Sequence, residues 1–355
     1  MPEPHVCIHF GTCGGCTFQN LAPADYRALK RHTVVRALER HGLGNADVAE
    51  VAAVAPATRR RAVFKLAKRG GGVLIGFHAA RSHAIVDMRE CLVLTPEVFA
   101  LAGGLRRMMA AILREGEGAE AHVTRSDNGL DVALRWKRKF DPNIAAEIAR
   151  WMSRLDLARM TANGELLAEA ARPLVRLGRA EVAIPPDCFL QPTREGEHML
   201  QAFVRDALAG AKYLADLFCG AGTFAFPLAE RARVHAVDAD PAMLDALGAA
   251  ARKTAGLKPV TTERRDLFRQ PLTAGELGAF DGVVLDPPRA GALAQVRALA
   301  QSDVPRVAYV SCNSESFGRD ARILSDGGFR MGTVRPVDQF LWSEHIELVA
   351  VFTRR

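Results

Sequence analysis

The 355-residue sequence is poor in aromatic residues, which make up only 6% of it. A hydrophobic core must therefore come largely from alanine, leucine and valine. The sequence contains no apolar run near the roughly 20 residues that a membrane-spanning helix needs, and its first residues, MPEPH, lack the basic and apolar pattern of a secretory signal. It has no internal repeat. These absences predict a globular cytoplasmic protein without membrane contact, and the length favours two domains.

Neither sign of charge is scarce, because 47 basic residues stand against 40 acidic ones and leave a formal net charge of +7. A basic excess favours a polyanionic partner, since Lys and Arg release counterions from phosphates. Two segments are the candidates for such a contact. Residues 59–69 carry six positive charges without an acid, and residues 135–140 interleave aromatic and basic side chains. Each run alone is explained about equally well as a solvated face, but with the motifs below they favour RNA.

Disulfide bonds are not expected, since seven cysteines are an odd number and a cytoplasmic chain keeps its thiols reduced. Cys7, Cys13 and Cys16 crowd the first sixteen residues, and Cys91 is a fourth candidate ligand. Such a cluster indicates metal binding before disulfide formation. Four thiolates can hold either zinc or an iron–sulfur cluster, and their spacing does not choose between the two.

The apolar pattern divides the chain into three parts. Residues 1–46 contain the cysteine cluster and an amphipathic helix, and residues 47–181 resemble a small α+β domain suited to RNA binding. The remaining part, 182–355, alternates strands with helices, which predicts an α/β domain with a parallel sheet covered on both faces. Its last two strands, over 328–337 and 345–353, have no helix between them. They are predicted to pair antiparallel at the edge of the sheet.

A glycine-rich loop follows the first strand of the α/β part, with the sequence DLFCGAGT at 216–223. Gly220 and Gly222 allow the backbone to approach a ligand at a helix N-terminus. Asp238 ends the next strand, where an acid can accept both hydroxyls of a ribose. Asp266 follows the third strand, where an adenine amino group could be bound. This pattern predicts a nucleoside-containing cofactor, but it fits a nicotinamide dinucleotide and S-adenosylmethionine alike.

Three further strands carry reactive groups at or near their ends. Asp286 is followed by two prolines, which stiffen a loop facing the ligand crevice. Cys312 precedes a helix, whose N-terminus favours the thiolate, the form that attacks carbon. Glu347 interrupts an apolar strand, where a buried acid needs a partner or a task. Its position alone is about equally consistent with an outward-facing residue of an edge strand, but burial would raise its pKa and suit a general base.

These segments together resemble the RNA 5-methyluridine methyltransferases. The resemblance is carried by DLFCGAG at 216–222, LDPPRAG at 285–291, VSCN at 310–313, DQF at 338–340 and HIE at 345–347. The segment FLQP at 189–192 is similar to the family's Phe-Phe-Gln-x-Asn element, except that Thr193 stands where Asn is usual. The motifs occur in the family's order over nearly the whole chain, so the sequence is identified as a member of that family.

The resemblance implies a Rossmann-like class I methyltransferase domain, with Cys312 as nucleophile and Glu347 as base. It also implies that five residues line the pocket for S-adenosylmethionine and uracil: Gln191, Phe218, Thr223, Asp238 and Asp286. In the implied reaction the Cys312 thiolate adds to C6 of uracil, which makes C5 electron-rich enough to accept a methyl group. Glu347 then removes the C5 proton. The target base must leave its stack to reach such a pocket.

The same resemblance implies a [4Fe–4S] cluster on Cys7, Cys13, Cys16 and Cys91, with zinc as the alternative. We expect a structural or RNA-positioning role for it, because methyl transfer moves no electrons. The cluster-bearing relatives favour 23S ribosomal RNA as the substrate, ahead of transfer RNA. The chain is expected to be a monomer that lacks the β-barrel RNA-binding module with which some relatives begin.

Two other functions fit parts of the sequence. One is a non-catalytic RNA-binding assembly factor on a methyltransferase scaffold, against which the intact Cys312, Asp286 and Glu347 argue. The other is a nicotinamide oxidoreductase with an iron–sulfur centre, in which the motifs around Asp286 and Cys312 would have no role.

Overall fold

The structure, a computed structural model, describes residues 6–138 and 142–354. Its helices are α1 (Pro23–Arg40), α2 (Pro96–Ile112), α3 (Pro142–Met152), α4 (Arg194–Ala207), α5 (Ala225–Ala229), α6 (Pro241–Lys253), α7 (Ala274–Leu277), α8 (Leu293–Ala300) and α9 (Ser314–Asp326). Its strands are β1 (Ala52–Ala53), β2 (Arg61–Arg69), β3 (Gly72–His78), β4 (Ile85–Asp87), β5 (Gly118–Ser126), β6 (Gly129–Trp136), β7 (Leu157–Ala162), β8 (Glu165–Glu169), β9 (Leu174–Leu177), β10 (Ala180–Ala183), β11 (Tyr213–Leu217), β12 (Arg233–Asp238), β13 (Val260–Arg264), β14 (Gly282–Leu285), β15 (Arg306–Ser311), β16 (Phe329–Met331), β17 (Arg335–Asp338) and β18 (Glu347–Arg354).

The predicted α/β domain is confirmed. Its strands follow the order β1-β17-β18-β15-β14-β11-β12-β13, and β16 also pairs with β18. The strands from β11 to β15 are parallel to their neighbours, whereas β18 runs antiparallel to β15. One face packs against α4, α5, α6 and the β9–β10 hairpin, and the other against α1, α8 and α9. Burial on both faces explains why β14 and the interior of β15 are continuous apolar runs.

Short polar side chains begin the helices that border the crevice. The Thr193 hydroxyl accepts from Gly196 N at 3.0 Å and caps α4, and the Asn313 side chain accepts from Glu315 N at 3.0 Å and caps α9. Threonine and asparagine are both good N-cap residues. The threonine that replaces the family's usual asparagine is therefore compatible with the start of α4.

A second sheet, in the order β4-β3-β2-β5-β6-β7-β8, forms a separate central unit. Helices α2 and α3 contribute apolar side chains to the core on one of its faces. The other face borders an open basin of about 990 Å³. The predicted strands over 63–67, 73–77 and 130–136 lie inside β2, β3 and β6, so this prediction is confirmed.

The N-terminal segment belongs physically with the C-terminal sheet, unlike the predicted division at residues 46 and 47. Helix α1 packs against α9, and β1 pairs with β17 in parallel. Val34, Leu38, Val48 and Val51 join the same apolar cluster as β14 and β15. This arrangement could not be predicted, because an amphipathic pattern does not identify the surface on which a helix packs.

The last strands also differ from the prediction. The segment 328–337 forms two strands, β16 and β17, which pair with opposite halves of β18. They are antiparallel to β18 as predicted, but β1 covers the edge beyond β17, so β18 lies inside the sheet. Glu347, the first residue of β18, is consequently buried and not directed into water.

None of the helices in the described part of the chain has the length and apolar character that crossing a membrane requires.

Candidate active site

The strand ends bring the predicted reactive residues together. The carboxyl ends of β13, β12, β11, β14 and β15 meet along one edge of the sheet, and β18 starts at that edge because it runs antiparallel to β15. Ser311 pairs with Leu348, and Cys312 and Glu347 are the adjoining residues. Asp286 follows β14, the neighbouring strand. Cys312 is partly exposed, unlike the buried Glu347 beside it.

Two glutamine side chains join the two carboxylates of this cluster. Gln339 Nε2 donates to Glu347 Oε2 at 2.9 Å and to Gln191 Oε1 at 2.6 Å. Gln191 Nε2 donates in turn to Asp286 Oδ2 at 3.1 Å. Gln191, Gln339 and Glu347 are each at most 2% exposed. The result is a buried chain of hydrogen bonds from one carboxylate to the other.

Burial makes both carboxylates weaker acids than usual. It raises the pKa of Glu347 well above the ordinary range, and the nearby Asp286 charge raises it further, while the Gln339 hydrogen bond lowers it. Burial likewise raises the pKa of Asp286 to about 7, against the hydrogen bond from Gln191. Two carboxylates this close do not ionise independently near neutral pH. A carboxylate with a raised pKa is suited to accept a proton.

The thiol of Cys312 does not have the lowered pKa that its place before α9 predicts. Burial and the charges of Glu347 and Asp286 raise the pKa of Cys312 to about 11, whereas Arg289 lowers it. Burial is the largest cause, and together with the two carboxylates it outweighs Arg289. Forming the thiolate therefore requires that the proton be transferred to a neighbouring group or that positive charge enter the site.

The glycine loop fits a nucleoside-containing cofactor. Gly220 has φ +52°, and a Cβ built on it would meet no atom within 4 Å, so the loop backbone faces open space. Asp216 is fully buried, and neither of its carboxylate oxygens has a hydrogen-bond partner among the described residues. Buried carboxylates of this kind are normally paired. A cationic or hydrogen-bonding ligand in the cleft would provide the missing partner.

Asp238 is placed as predicted but is already used by the loop. Its Oδ2 accepts from Gly220 N and its Oδ1 from Asp240 N, each at 2.9 Å. Each oxygen keeps a further lone pair for a ribose hydroxyl. The carboxylate therefore both shapes the glycine loop and remains able to bind a ligand. Thr223 is the last residue of the glycine loop, two residues before α5, and its backbone carbonyl accepts from Gln201 Nε2.

Aromatic rings mark the side of the cleft beyond β12. Phe218 adopts φ +62°, an uncommon conformation for a side chain of its size, and its ring centroid lies 5.4 Å from that of Phe268. Phe268 is 48% exposed, which leaves it available to contact an adenine. Asp266 lies nearby: its Oδ1 accepts from Phe268 N at 3.0 Å, and its Oδ2 pairs with Arg269 Nε at 3.6 Å. The predicted cofactor residues thus lie along neighbouring strand ends.

The four predicted ligand cysteines line one cavity of about 270 Å³. Backbone N–H groups of His9 and Gly15 point at the sulfurs of Cys7 and Cys13, at 3.5 and 3.4 Å. No group of three or more His, Cys, Asp or Glu side chains within 6–138 and 142–354 is arranged to hold a metal ion. The cavity also borders Phe340, Ser343 and His345, which lie just before Glu347.

The basic run over 59–69 includes residues with structural contacts, and the predicted RNA contact of the run stays a prediction. Arg60 is 3% exposed, pairs with Glu197 and donates through Nε to the carbonyl of Gln191 at 3.0 Å. Arg59 lines the cysteine cavity. Arg61 alone faces an exposed aromatic ring, that of Phe189, with its Cζ 5.0 Å from the ring centroid.

The second basic run is partly neutralised. Arg135 pairs with Asp187, and Arg138 pairs with Glu117 at 3.3 Å. Lys137 is exposed. The predicted contacts of residues 139 and 140 lie outside the described residues. Fewer unpaired basic side chains are thus available to contact RNA phosphates here than the sequence alone indicates.

Sequence reasoning missed two residues that hold the reactive cluster in place. Gln339 was noted only as part of a motif, although an amide directly after a buried strand is a signal for a buried hydrogen bond. Arg60 was grouped with the other charges, and only the structure shows that it contacts the backbone of Gln191.

Comparison with known proteins agrees with this geometry. The sequence profile of the family described as tRNA (Uracil-5-)-methyltransferase matches residues 179–355. An uncharacterized RNA methyltransferase of Brucella suis is 45% identical over 350 residues, which cover 98% of this chain and 84% of the relative. The chain belongs to the RNA 5-methyluridine methyltransferase family. This membership excludes the nicotinamide oxidoreductase and identifies S-adenosylmethionine as the cofactor of the family.

Two further proteins are similar to this chain, one in sequence and one in fold. A 23S rRNA (uracil(1939)-C(5))-methyltransferase, RlmD, of Chromohalobacter salexigens is 32% identical, with 98% of this chain and 76% of the relative covered. The crystal structure of the Pyrococcus abyssi tRNA (uracil-54, C5)-methyltransferase in complex with S-adenosyl-L-homocysteine superimposes with a TM-score of 0.74. It is 23% identical, and the match covers 96% of this chain and 86% of that one. The second comparison supports the fold.

Proposed function

We propose that this protein transfers a methyl group from S-adenosylmethionine to C5 of a uridine in 23S ribosomal RNA through a covalent Cys312–C6 adduct. The observation that carries the proposal is the meeting of Cys312, Glu347 and Asp286 at one edge of the sheet. A nucleophile, a base and a second buried carboxylate are the groups that this chemistry needs. A non-catalytic scaffold would have no use for them.

The chain's own residues account for the steps at the uracil ring. Cys312 sulfur bonds to C6 as its proton passes to a nearby carboxylate, and the electron pair of the C5–C6 double bond moves towards C5 and O4. When the ring carries its new substituent at C5, Glu347 takes the C5 proton. The electron pair of that C–H bond restores the double bond, the C6–S bond breaks, and its pair returns to Cys312.

S-adenosylmethionine supplies an electrophilic methyl group on a positively charged sulfur. Residues that suit the binding of its nucleoside part are Phe218, Gly220, Asp238 and Asp266, with Gly222 and Thr223 continuing the loop. Burial and the charge of Asp286 raise the pKa of the Asp216 carboxyl well above its ordinary range, so it offers a hydrogen-bonding group beside the loop and not a counter-charge. Positive charge in the cleft favours ionisation of Cys312, whose pKa the two carboxylates raise.

An exposed ring near the reactive cluster suits an unstacked nucleotide. Phe189 is 60% exposed, lies two residues before Gln191, and has the Arg61 guanidinium over its face. Proteins that bind single-stranded RNA stack bases on aromatic rings and guanidinium planes. A uridine that reaches Cys312 must leave its RNA helix. The ring of Phe189 and the guanidinium of Arg61 suit either the gap that this uridine leaves or the base of a neighbouring nucleotide.

The choice of RNA is testable directly. We expect the protein to place labelled methyl groups on 23S ribosomal RNA at a uridine, detected as 5-methyluridine by mass-spectrometric mapping. The 32% identity with a relative named for 23S RNA favours this substrate. Transfer RNA is the second candidate, because the matching family is described by transfer RNA. Methylation of transfer RNA with none on 23S RNA would contradict the choice, and absence of 5-methyluridine from both would contradict the activity.

We also propose that the four cysteines hold a [4Fe–4S] cluster. All four line one cavity, and two sulfurs face backbone N–H groups, as expected for thiolates around a cluster. A four-iron cluster spaces its thiolates more widely than a single zinc, because an iron atom lies between each sulfur and the centre. Zinc is the alternative, because four thiolates can hold either group.

The cluster is tested by anaerobic purification. We expect about four irons and four sulfides per chain, with visible absorbance that oxygen bleaches. The Cys13→Ser variant should lose most of that absorbance, whereas Cys188→Ser, which changes a cysteine outside the cavity, should retain it. Stoichiometric zinc, or iron that remains bound in Cys13→Ser, would contradict the proposal.

A further inference from the structure

We infer that Gln339 is a positioning residue for the base: its amide holds the Glu347 carboxylate and joins it through Gln191 to Asp286. The inference deepens the proposed function and rests on it. Gln339 makes no hydrogen bond to the nucleophile and reaches the predicted pocket lining only through Gln191, so its effect on the reaction would act through Glu347.

The geometry gives Gln339 little freedom. Its Nε2 donates to Glu347 Oε2 at 2.9 Å and to Gln191 Oε1 at 2.6 Å. The first turn of α4 packs directly against it, since a Cβ at Gly196 would lie 2.6 Å from Gln339 Oε1 and 2.9 Å from Gln339 Cβ. Only glycine fits at this position without displacing the amide. The side chain is therefore fixed by packing as well as by hydrogen bonds.

The other end of the chain of hydrogen bonds is fixed by the central unit. Arg60 Nε donates to the Gln191 carbonyl at 3.0 Å, and Arg60 N donates to the Pro192 carbonyl at 2.9 Å. The Arg60 guanidinium is itself paired with the fully buried Glu197. A positioned Gln191 presents its amide oxygen to Gln339 and its amide nitrogen to Asp286. The two carboxylates are thus connected through a rigid support.

This arrangement matters at one step of the reaction. Once C5 carries its methyl group, Glu347 must accept the C5 proton while sulfur remains bonded to C6. Gln339 donates to Glu347 and so favours its ionised form, against burial and the charge of Asp286. Without that donor the carboxylate would be held less well and would be protonated more of the time. Loss of Gln339 should therefore slow elimination more than methyl transfer.

The test is the Gln339→Met variant, which keeps the length of the side chain and removes its donor. We expect elimination to slow about 10- to 100-fold, the effect of one hydrogen bond to a charged group. Methylated RNA should accumulate as a covalent adduct on a denaturing gel. The acidic limb of the pH–rate profile should move to higher pH, because a raised pKa leaves Glu347 ionised only in more alkaline solution. Cys312 and Asp286 are the other titrating groups that act on it.

Gln295→Met is the matched control. Gln295 is also fully buried, and its amide bonds only to the backbone of Leu272. Its loss should lower thermal stability without adduct or a displaced pH limb. The inference would be overturned if Gln339→Met had the same elimination rate and the same acidic limb of the pH–rate profile as the parent, or if it behaved like Gln295→Met.

A second substitution covers failure of the first to fold. Gln339→Glu keeps the shape, can donate while protonated, and repels Glu347 once ionised, so we expect its activity to fall with rising pH where the parent's activity does not. A parental profile in this variant would overturn the inference. If the parent itself forms no 5-methyluridine, the proposed function fails; if the parent is active and only the Gln339 predictions fail, the inference alone is wrong.

Discussion

Replacing Cys312 by alanine is expected to abolish methyl transfer, lowering the rate by at least about 10⁴-fold, as loss of a covalent nucleophile does in other enzymes. C5 of uracil is a poor nucleophile, and no other described thiol lies at this strand end. Cys219 is a buried residue of the glycine loop, and Cys188 packs against Met243. The measurement is incorporation of labelled methyl groups into RNA. Cofactor binding and the melting temperature should stay close to those of the parent.

Cys188→Ala is the matched control, because it removes a buried thiol near the site that has no place in the reaction. It should keep activity within a few-fold of the parent. Retained turnover in Cys312→Ala would exclude the covalent route. If both variants fail to fold, the experiment has measured packing and not nucleophilicity. The Cys312→Ser variant, which keeps the size of the side chain, then decides the question: methylated product would exclude the covalent route, and its absence would support it.

The surroundings of Cys312 determine how its thiol loses a proton. Burial and two neighbouring carboxylates raise the pKa of Cys312 to about 11, so the thiol is the main form at neutral pH. Sulfur therefore attacks as its proton leaves, and the nearest acceptors are the carboxylates that hold its pKa high. A carboxylate with a raised pKa retains that proton better than an exposed one. The sequence predicted that the helix end favours the thiolate, but it could not show the burial and the two carboxylates on other strands that raise the pKa.

Much of the site could be predicted from the sequence because strand ends carry it. Asp238, Asp286 and Cys312 each follow a recognisable buried strand, and parallel strands deliver their carboxyl ends to one edge. Glu347 was ambiguous for a definite reason. Its exposure depends on whether β18 lies at the edge, and that depends on β17 and on the two-residue strand β1 from far along the chain. No local pattern contains that information.

The N-terminal part shows the same limit. The predicted amphipathic helix is present as α1, but some of its polar side chains are buried. Lys30 is 2% exposed and pairs at 3.0 Å with the fully buried Asp338, which also accepts from Tyr26. Asp338 precedes Gln339, so α1 supports the segment that leads to the base. A sequence shows a basic residue on a helix, and only the fold shows that its charge is neutralised inside. The cysteine segment adds to this support, since the amides of residues 17 and 18 donate to the Trp342 carbonyl.

Replacing Glu347 by glutamine is expected to trap the reaction after methyl transfer. The substitution keeps the shape of the side chain and its contact with Gln339 but removes the group that accepts the C5 proton, and loss of a general base slows its step about 10²- to 10⁴-fold. It also removes one of the two charges that raise the pKa of Cys312, and Asp286 remains to accept the proton of the thiol, so addition to C6 should still proceed. Protein and RNA should therefore accumulate as a covalent complex, visible as a shifted band on a denaturing gel.

The content of that complex separates the possible roles of the carboxylate. Mass spectrometry should find a methylated pyrimidine bonded to residue 312, and the double variant Cys312→Ala with Glu347→Gln should give no complex. A complex without the methyl group would mean that Glu347 acts before methyl transfer, and rapid clean turnover would mean that another group is the base. Because Gln339→Met should accumulate the same adduct to a lesser degree, the two variants together test whether one buried network, from Asp286 to Glu347, controls the release of the product.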